Sequence, residues 1–325
     1  MTPRTTVPRV ALALRPTPVA RMRSELGPEL WVKRDDLTGS VLSGNKVRKL
    51  EYLLADAQVQ GADVVFTCGG VQSNHCRATA IAARQLGLPC VVFLRVDDPS
   101  QIPAPTGNLL LDRLVGAEIR YISRADYARR REVMAEAAAG RNAYIIPEGG
   151  SNALGSLGYY DCIGELVSQL GEAPLTVVYA AGSGGTGAGL VAGVLNRALP
   201  WRVVGVNVCD DRAYFVEAIG AIVEDMQARF DLSFAFERES LEILDGYVGR
   251  GYAKSRPEEL ACLIALARAE GLVLDPVYTG KAWYGLTQTL ARDAHALGSR
   301  IVFIHTGGVF GLFGEGTSRE LSGLL

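Results

Sequence analysis

From residue 63 to residue 304 the chain alternates between short apolar runs and longer segments with helical periodicity. Apolar runs without polar alternation need cover on both faces, and the connections between them are short. The pattern therefore predicts parallel sheets wrapped on either side by helices. Strands are expected at 63–68, 90–96, 118–122 and 143–146, with helices at 75–86, 108–115 and 125–139. A second series places strands at 175–180, 202–208, 273–274 and 301–304, with helices at 156–169, 186–199, 214–229, 258–270 and 281–297. The two series meet at Pro147-Glu148-Gly149-Gly150-Ser151. Ahead of the alternation lie an extended entry with a short helix inside the first 30 residues, and a short strand from Trp31 into a charged turn at Asp35-Asp36. A helix then opens near Lys46, with Val47, Leu50, Leu53, Leu54 and Ala57 at helical spacing. Residues 231–255 are polar and without period, and read as irregular. The fold class is α/β, two doubly wound and mostly parallel-sheet units, with ligands expected where strand C-termini face a cleft.

A chain of 325 residues, 48% of them hydrophobic, can bury two such cores. Its net charge of -2 gives no electrostatic case for nucleic acid or an anionic membrane. The six cysteines are scattered with no CxxC, which argues against a zinc site or a disulfide framework and for a reducing compartment. The apolar stretch at 10–14 is broken by Arg15 and Pro16 and is too short for a signal segment. A cytoplasmic protein is expected, with neither nucleic acid nor membrane as partner. His75, His295 and His305 show no metal-ligand spacing, so no metal is expected.

Several strand-to-helix junctions carry chemistry. In Ser43-Gly44-Asn45-Lys46-Val47-Arg48-Lys49, the lysines at 46 and 49 share a face in the first helical turn, where the helix dipole disfavours cations. A solvated basic turn is the plain reading. A cofactor bearing an aldehyde and a phosphate would satisfy both lysines, one by a Schiff base and the other near the phosphate. Gly182-Ser183-Gly184-Gly185-Thr186-Gly187 follows a strand and opens a helix, so its amides can cradle a phosphate. No Lys-Ser/Thr pair follows, which excludes a Walker A loop. The run does match G-x-G-x-x-G with Asp210 at the end of the next strand, and a dinucleotide-dependent dehydrogenase stays open. Gly69-Gly70-Val71-Gln72-Ser73-Asn74-His75 offers amides, a hydroxyl and a side-chain amide that suit a carboxylate, with Asn74 free to reach an aromatic hydroxyl. Helix capping by Ser73 or Asn74 is compatible with this, and His75 alone reads as a satisfied polar side chain. Tyr278 in Asp275-Pro276-Val277-Tyr278-Thr279-Gly280-Lys281, Tyr252 after Gly251, and Thr306 in His305-Thr306-Gly307-Gly308 complete the candidates. Packing is the default role for each tyrosine.

Taken in order, these motifs resemble the pyridoxal-phosphate enzymes of the D-cysteine desulfhydrase and 1-aminocyclopropane-1-carboxylate deaminase family, of the tryptophan-synthase-β-like fold type II. The resemblance runs nearly end to end through Val32-Lys33-Arg34-Asp35-Asp36-Leu37, Gly44-Asn45-Lys46, Leu50-Glu51-Tyr52, Gly70 to Asn74, Gly150-Ser151 with Gly155, Gly158 and Tyr159, and the runs at 182–187, 275–281 and 305–308. It implies pyridoxal 5'-phosphate as cofactor, joined to Lys46 as a Schiff base, with Asn74 on its ring hydroxyl. Amides of Gly184, Gly185, Thr186 and Gly187 would hold the phosphate, with Lys49 nearby. Ser73, Asn74 and His75 would take the substrate, with Tyr252 and Tyr278 lining its side. Lys46, Ser73, Tyr252 and Tyr278 are the expected catalytic set. The resemblance also implies a homodimer and a small domain, 50–155, inserted in a large one made of 1–49 and 156–325. Deaminases of the family place a glutamate after the tyrosine matching Tyr278 and a leucine after the histidine matching His305, whereas here both positions are threonine, Thr279 and Thr306. That is the desulfhydrase pattern. A hydroxyl beside the pyridine nitrogen, where Thr306 is expected, makes a weaker electron sink than a carboxylate would. Elimination tolerates this because the leaving group takes the electron pair. The expected reaction is α,β-elimination on D-cysteine to pyruvate, ammonia and hydrogen sulfide. L-cysteate is the first alternative and the cyclopropane substrate the second. A non-catalytic pyridoxal-phosphate carrier is the alternative outside enzymes.

Overall fold

The computed structural model describes residues 7–23 and 26–325. Strands β1 (Val19–Arg21) and β2 (Glu29–Lys33) come first, then helix α1 (Asn45–Val59). There follow β3 (Val64–Gly70), α2 (Asn74–Gln85), β4 (Cys90–Arg95), α3 (Gly107–Leu114), β5 (Glu118–Ile122), α4 (Arg124–Ala128), α5 (Arg130–Ala137) and β6 (Ala143–Ile145). The second series is α6 (Ala153–Leu170), β7 (Thr176–Ala181), α7 (Gly185–Asn196), β8 (Arg202–Asn207), α8 (Arg212–Phe230), β9 (Glu242–Leu244), α9 (Pro257–Glu270), α10 (Thr279–Arg292), β10 (Arg300–Ile304) and α11 (Glu315–Ser322).

Two sheets result. One has four strands in the order β5-β4-β3-β6, all parallel. The other has six, β1-β2-β10-β7-β8-β9, parallel except for the β1–β2 pair. Strands β3, β4 and β7 are buried along nearly their whole length, as continuous apolar runs require. The α/β class and the mostly parallel sheets agree with the sequence reading.

Five expectations are corrected. Among the described residues before β2 there is a strand, Val19–Arg21, and no helix. The helix expected at 125–139 is split at Arg129, whose φ of -105° and ψ of 29° leave the helical region. Residues 273–274 form no strand, and the irregular stretch 231–255 supplies one instead: Glu242–Leu244 pairs with β8 at the sheet edge. The helix expected to reach residue 297 ends at Arg292, where Asp293 turns extended.

Helix α1 is held at its N-terminus and one turn further on. Gly44 precedes it with φ of 94°, and a Cβ there would lie 2.8 Å from the Thr306 carbonyl oxygen. Gly307 meets it from the other side, where a Cβ would lie 2.8 Å from the Gly44 Cα. Two glycines thus let the loop before α1 touch the loop after β10, and the Asn45 amide donates to the Thr306 carbonyl at 3.0 Å. One turn on, Arg48 is fully buried and donates to both Asp35 carboxylate oxygens at 2.8 Å and to Glu165 at 2.8 and 2.9 Å. Tyr159 donates to the same Asp35 at 2.6 Å. Paired in this way, the buried charges are satisfied and fix the rotation of α1 about its axis.

Candidate active site

A cavity of about 920 Å³ is walled by residues from both sheets and their helices. Lys46 enters it from the first turn of α1. Its ammonium has no hydrogen bond or ion pair among the described residues, and burial lowers its pKa to about 8, against the pull of the Glu148 charge. Lys49 stands behind the wall, fully buried, with Nζ donating to the Gly149 carbonyl at 3.2 Å and to Ser151 Oγ at 3.3 Å. Burial, followed by the charge on Lys46, holds Lys49 well below the usual lysine range.

The glycine run after β7 supplies another wall. Gly184 precedes α7 with φ of 84°, and Gly184, Thr186 and Gly187 face the cavity. The first amides of a helix have no partner in the preceding turn. Here the Gly185 amide is taken by Ser151 Oγ at 3.3 Å, and Gly185 lies in the layer with Lys49, where a Cβ would be 2.9 Å from its Nζ. Asn45 ties this wall to α1, donating from Nδ2 to Thr186 Oγ1 at 3.2 Å.

The β3–α2 junction forms the side belonging to the four-stranded sheet. Ser73 caps α2, its Oγ accepting from the Cys76 amide at 3.2 Å, which leaves its own proton free to donate. Asn74 faces the cavity, and its Oδ1 accepts from Asn108 at 3.0 Å. His75 is buried with Nε2 2.8 Å from Thr67 Oγ1, and burial and then the two lysines hold it neutral, well below the usual histidine range. Also on the cavity wall, the hydroxyls of Tyr252 and Tyr278 lie 2.7 Å apart. Burial pushes Tyr252 up to about 12 and Tyr278 well above the usual range, so both remain O–H groups at neutral pH. Thr306 lines the cavity, and its hydroxyl has no protein partner among the described residues. Thr279 does not line it. That side chain is fully buried and donates to Asp275 Oδ1 at 2.6 Å, within the turn that starts α10.

Sequence reasoning missed part of the wall. Arg95 projects from the end of β4, 4.8 Å from the Tyr127 ring centroid and 5.8 Å from that of Tyr252. Glu148 is held by the Tyr127 hydroxyl and by Arg130 at 3.0 Å. Ser151 links Lys49, Gly185 and Ser183. Its Gly-Gly-Ser run was visible, but what it touches comes from residues 32 to 102 positions away. No group of three or more His, Cys, Asp or Glu side chains able to hold a metal occurs among the described residues.

The donor set fits pyridoxal phosphate. It combines an unpaired amine of lowered basicity, helix-terminal amides for a phosphate, a side-chain amide and a free hydroxyl for ring substituents, and glycines where side chains would intrude. At Gly182 a Cβ would come within 2.9 Å of the Tyr278 ring.

Comparison with known proteins agrees. The sequence model of the family described as "Pyridoxal-phosphate dependent enzyme" matches residues 10–307. A putative 1-aminocyclopropane-1-carboxylate deaminase of Thermotoga maritima is 44% identical over 96% of this chain and 99% of its own length. The mitochondrial bifunctional D-cysteine desulfhydrase/1-aminocyclopropane-1-carboxylate deaminase of Arabidopsis thaliana is 42% identical over 93% of this chain and 79% of its own. A crystal structure of an ACC deaminase homologue superposes with a TM-score of 0.88 at 37% identity, covering 98% of this chain and 96% of that one.

Proposed function

The chain belongs to the pyridoxal-phosphate dependent enzymes, within the group that holds the D-cysteine desulfhydrases and 1-aminocyclopropane-1-carboxylate deaminases, and from that premise we propose that its reaction is α,β-elimination on D-cysteine. The dehydrogenase alternative drawn from the glycine run gives way to the family's cofactor. When bound, that cofactor supplies an aldehyde for amino groups and a ring that draws electrons from the α-carbon of an attached amino acid. The protein does the rest. Lys46 Nζ holds the cofactor and, once freed, takes the α-proton, for which an amine near pKa 8 is suited. Gly184, Thr186 and Gly187 give the phosphate its amides, Lys49 and Gly185 backing them through Ser151. Ser73 and its loop bind the carboxylate, and His75 stays neutral beneath them. Tyr252 and Tyr278, both held as O–H donors, meet the β-substituent as the Cβ–S bond breaks and its electron pair leaves on sulfur. D-cysteine and one water give pyruvate, ammonia and hydrogen sulfide.

The observation that carries the choice of substrate is the Thr306 hydroxyl on the cavity wall while Thr279 is turned away onto Asp275. No carboxylate from either junction reaches the cavity, so the wall there favours a reaction in which the leaving group accepts the electron pair. Opening a cyclopropane has no such outlet. L-cysteate, losing sulfite, is the second reading for the same reason. The same proposal places residues 50–155 in a small domain inserted in a large one of 1–49 and 156–325, and the protein in the cytoplasm as a homodimer, which sedimentation reads directly.

The test is product release by the cofactor-loaded protein with D-cysteine, L-cysteine, L-cysteate and 1-aminocyclopropane-1-carboxylate. Pyruvate with sulfide from D-cysteine is expected, and Lys46→Ala should lower kcat by roughly 10²-fold or more. Pyruvate with sulfite from L-cysteate alone replaces the substrate. 2-Oxobutanoate from the cyclopropane overturns the argument from Thr306.

A further inference from the structure

Asn74 meets the cavity with an amide, and an amide can present either a donor or an acceptor. Which one it presents is decided two residues away from the cavity. Arg77, on α2 and buried, donates from Nε to Asn108 Oδ1 at 3.1 Å. A guanidinium has no acceptor, so the Asn108 oxygen must face it. The Asn108 Nδ2 group is thereby aimed the other way, where it donates to the Gln72 carbonyl at 2.9 Å and to Asn74 Oδ1 at 3.0 Å. With its oxygen engaged, Asn74 has only its Nδ2–H group left for the cavity. Asn108 is fully buried at the start of α3, and its own amide donates to Gln72 Oε1 at 2.9 Å, so its position is fixed from both ends. Arg77 is fixed as well: its other nitrogens donate to the Val41 and Ser43 carbonyls, in the loop that leads to Lys46, and its guanidinium lies 5.0 Å from the Phe310 ring centroid.

We propose that Arg77 and Asn108 are positioning residues that set the polarity of Asn74, forcing it to act as a hydrogen-bond donor toward the cofactor's ring hydroxyl. This rests on the reading that Asn74 meets that hydroxyl. A donor there stabilises the ionised oxygen, so the relay lowers the pH at which the bound cofactor loses its proton and tightens its binding. The arrangement is a chain of fixed amide directions that starts at a permanent charge.

The experiment uses three single variants and one double variant of the whole protein, each read by the pH midpoint of the bound cofactor's absorbance change and by cofactor affinity. Lys46, His75, Lys49 and Tyr278 are unchanged throughout. The carboxylate introduced by Asn108→Asp still accepts from Arg77 but cannot donate, so Asn74 turns over and shows its oxygen to the cavity. The midpoint is expected to rise by about one unit, a tenfold change in the ionisation constant, and affinity to fall. Asn108→Ala, which leaves Asn74 unanchored, should move both in the same direction by less, and stands in if the first variant fails to fold. Asn74→Ala should raise the midpoint by itself, and adding Asn108→Asp to it should do nothing further, a result that general loosening of the site would not produce. A shift from Asn74→Ala with none from either Asn108 variant overturns the relay. No shift from Asn74→Ala overturns the role of Asn74 itself.

Discussion

Lys46 is the residue on which the proposed chemistry depends, and its environment makes a quantitative demand. Desolvated at the cavity wall and without a hydrogen-bond or ion-pair partner among the described residues, its ammonium is held near pKa 8 rather than in the usual lysine range. A base with a lowered pKa has its free amine above that value, and only the free amine attacks an aldehyde. The rate at which the cofactor-free protein takes up pyridoxal phosphate should therefore climb with pH to a plateau with its midpoint near 8. Stopped-flow absorbance over pH 6–10, roughly two units either side, reads it; a rate still rising at the top of that range would mean that Lys46 is not desolvated. That Lys46, Ser73, Asn74, Tyr252, Tyr278 and Thr306 all deserved attention was legible in the chain, because each sits at or beside a junction rich in glycine or polar side chains. Arg95 and Glu148 were not legible. Each is an ordinary charged residue locally, and its partners, Tyr127, Tyr252 and Arg130, are set by tertiary structure. Adjacency to Tyr278 does not bring Thr279 into the cavity: at a helix start one residue turns a side chain by about 100°, from the cavity into the protein.

At the scale of elements, the site depends on how closely α1 approaches α6. Gly158 lies in the middle of α6, where a Cβ would be 2.4 Å from the Arg48 carbonyl oxygen and 2.5 Å from its carbonyl carbon. These are backbone atoms, so no flexible side chain can yield. Gly158→Ala should cost about 1–3 kcal/mol of stability through overpacking. It should also weaken cofactor binding, because the helix displaced is the one that carries Lys46. Urea unfolding and cofactor titration check the two effects, and loss of stability without loss of affinity would show that α1 can shift without moving its first turn. The same scale explains which elements the sequence disclosed. Strands with long apolar runs, such as β3, β4 and β7, declare themselves through composition. Strand β9 has three residues in a polar stretch and exists because its backbone completes the β8 edge. The Val273-Leu274 pair, apolar enough for a strand, finds no neighbouring strand to bond with and only buries Leu274. Local propensity is silent on both, since what decides them is the presence of a free sheet edge.

For the whole molecule, the position of the cavity matters more than any single residue in it. Its walls come from two sheets with separate hydrogen-bond ladders: the Gly69–Asn74 turn continues β3 of the four-stranded sheet, while the Gly182–Gly187 run and Thr306 continue β7 and β10 of the six-stranded one. A ligand that contacts both walls adds a connection between sheets that no backbone hydrogen bond supplies. Ligand bound only to the folded state stabilises whatever must open to release it, by about 2.7 kcal/mol at roughly 100 times Kd. Adding pyridoxal phosphate to the cofactor-free protein should therefore slow amide exchange in both 69–76 and 183–188, by up to about 100-fold where exchange requires the sheets to part. Exchange in β9 and α11, remote from the cavity wall, should not change. Hydrogen-exchange mass spectrometry separates these segments. Protection at 183–188 alone would mean that the phosphate is held but the ring does not reach Asn74, in which case substrate, not cofactor, must join the two walls. Protection on both sides in the cofactor complex, rising further with an unreactive amino acid, would mean that cofactor binding sets the spacing of the sheets and substrate closes it. The Tyr252–Tyr278 pair and Ser73 would then come within reach of the β-carbon only after the amino acid has bound.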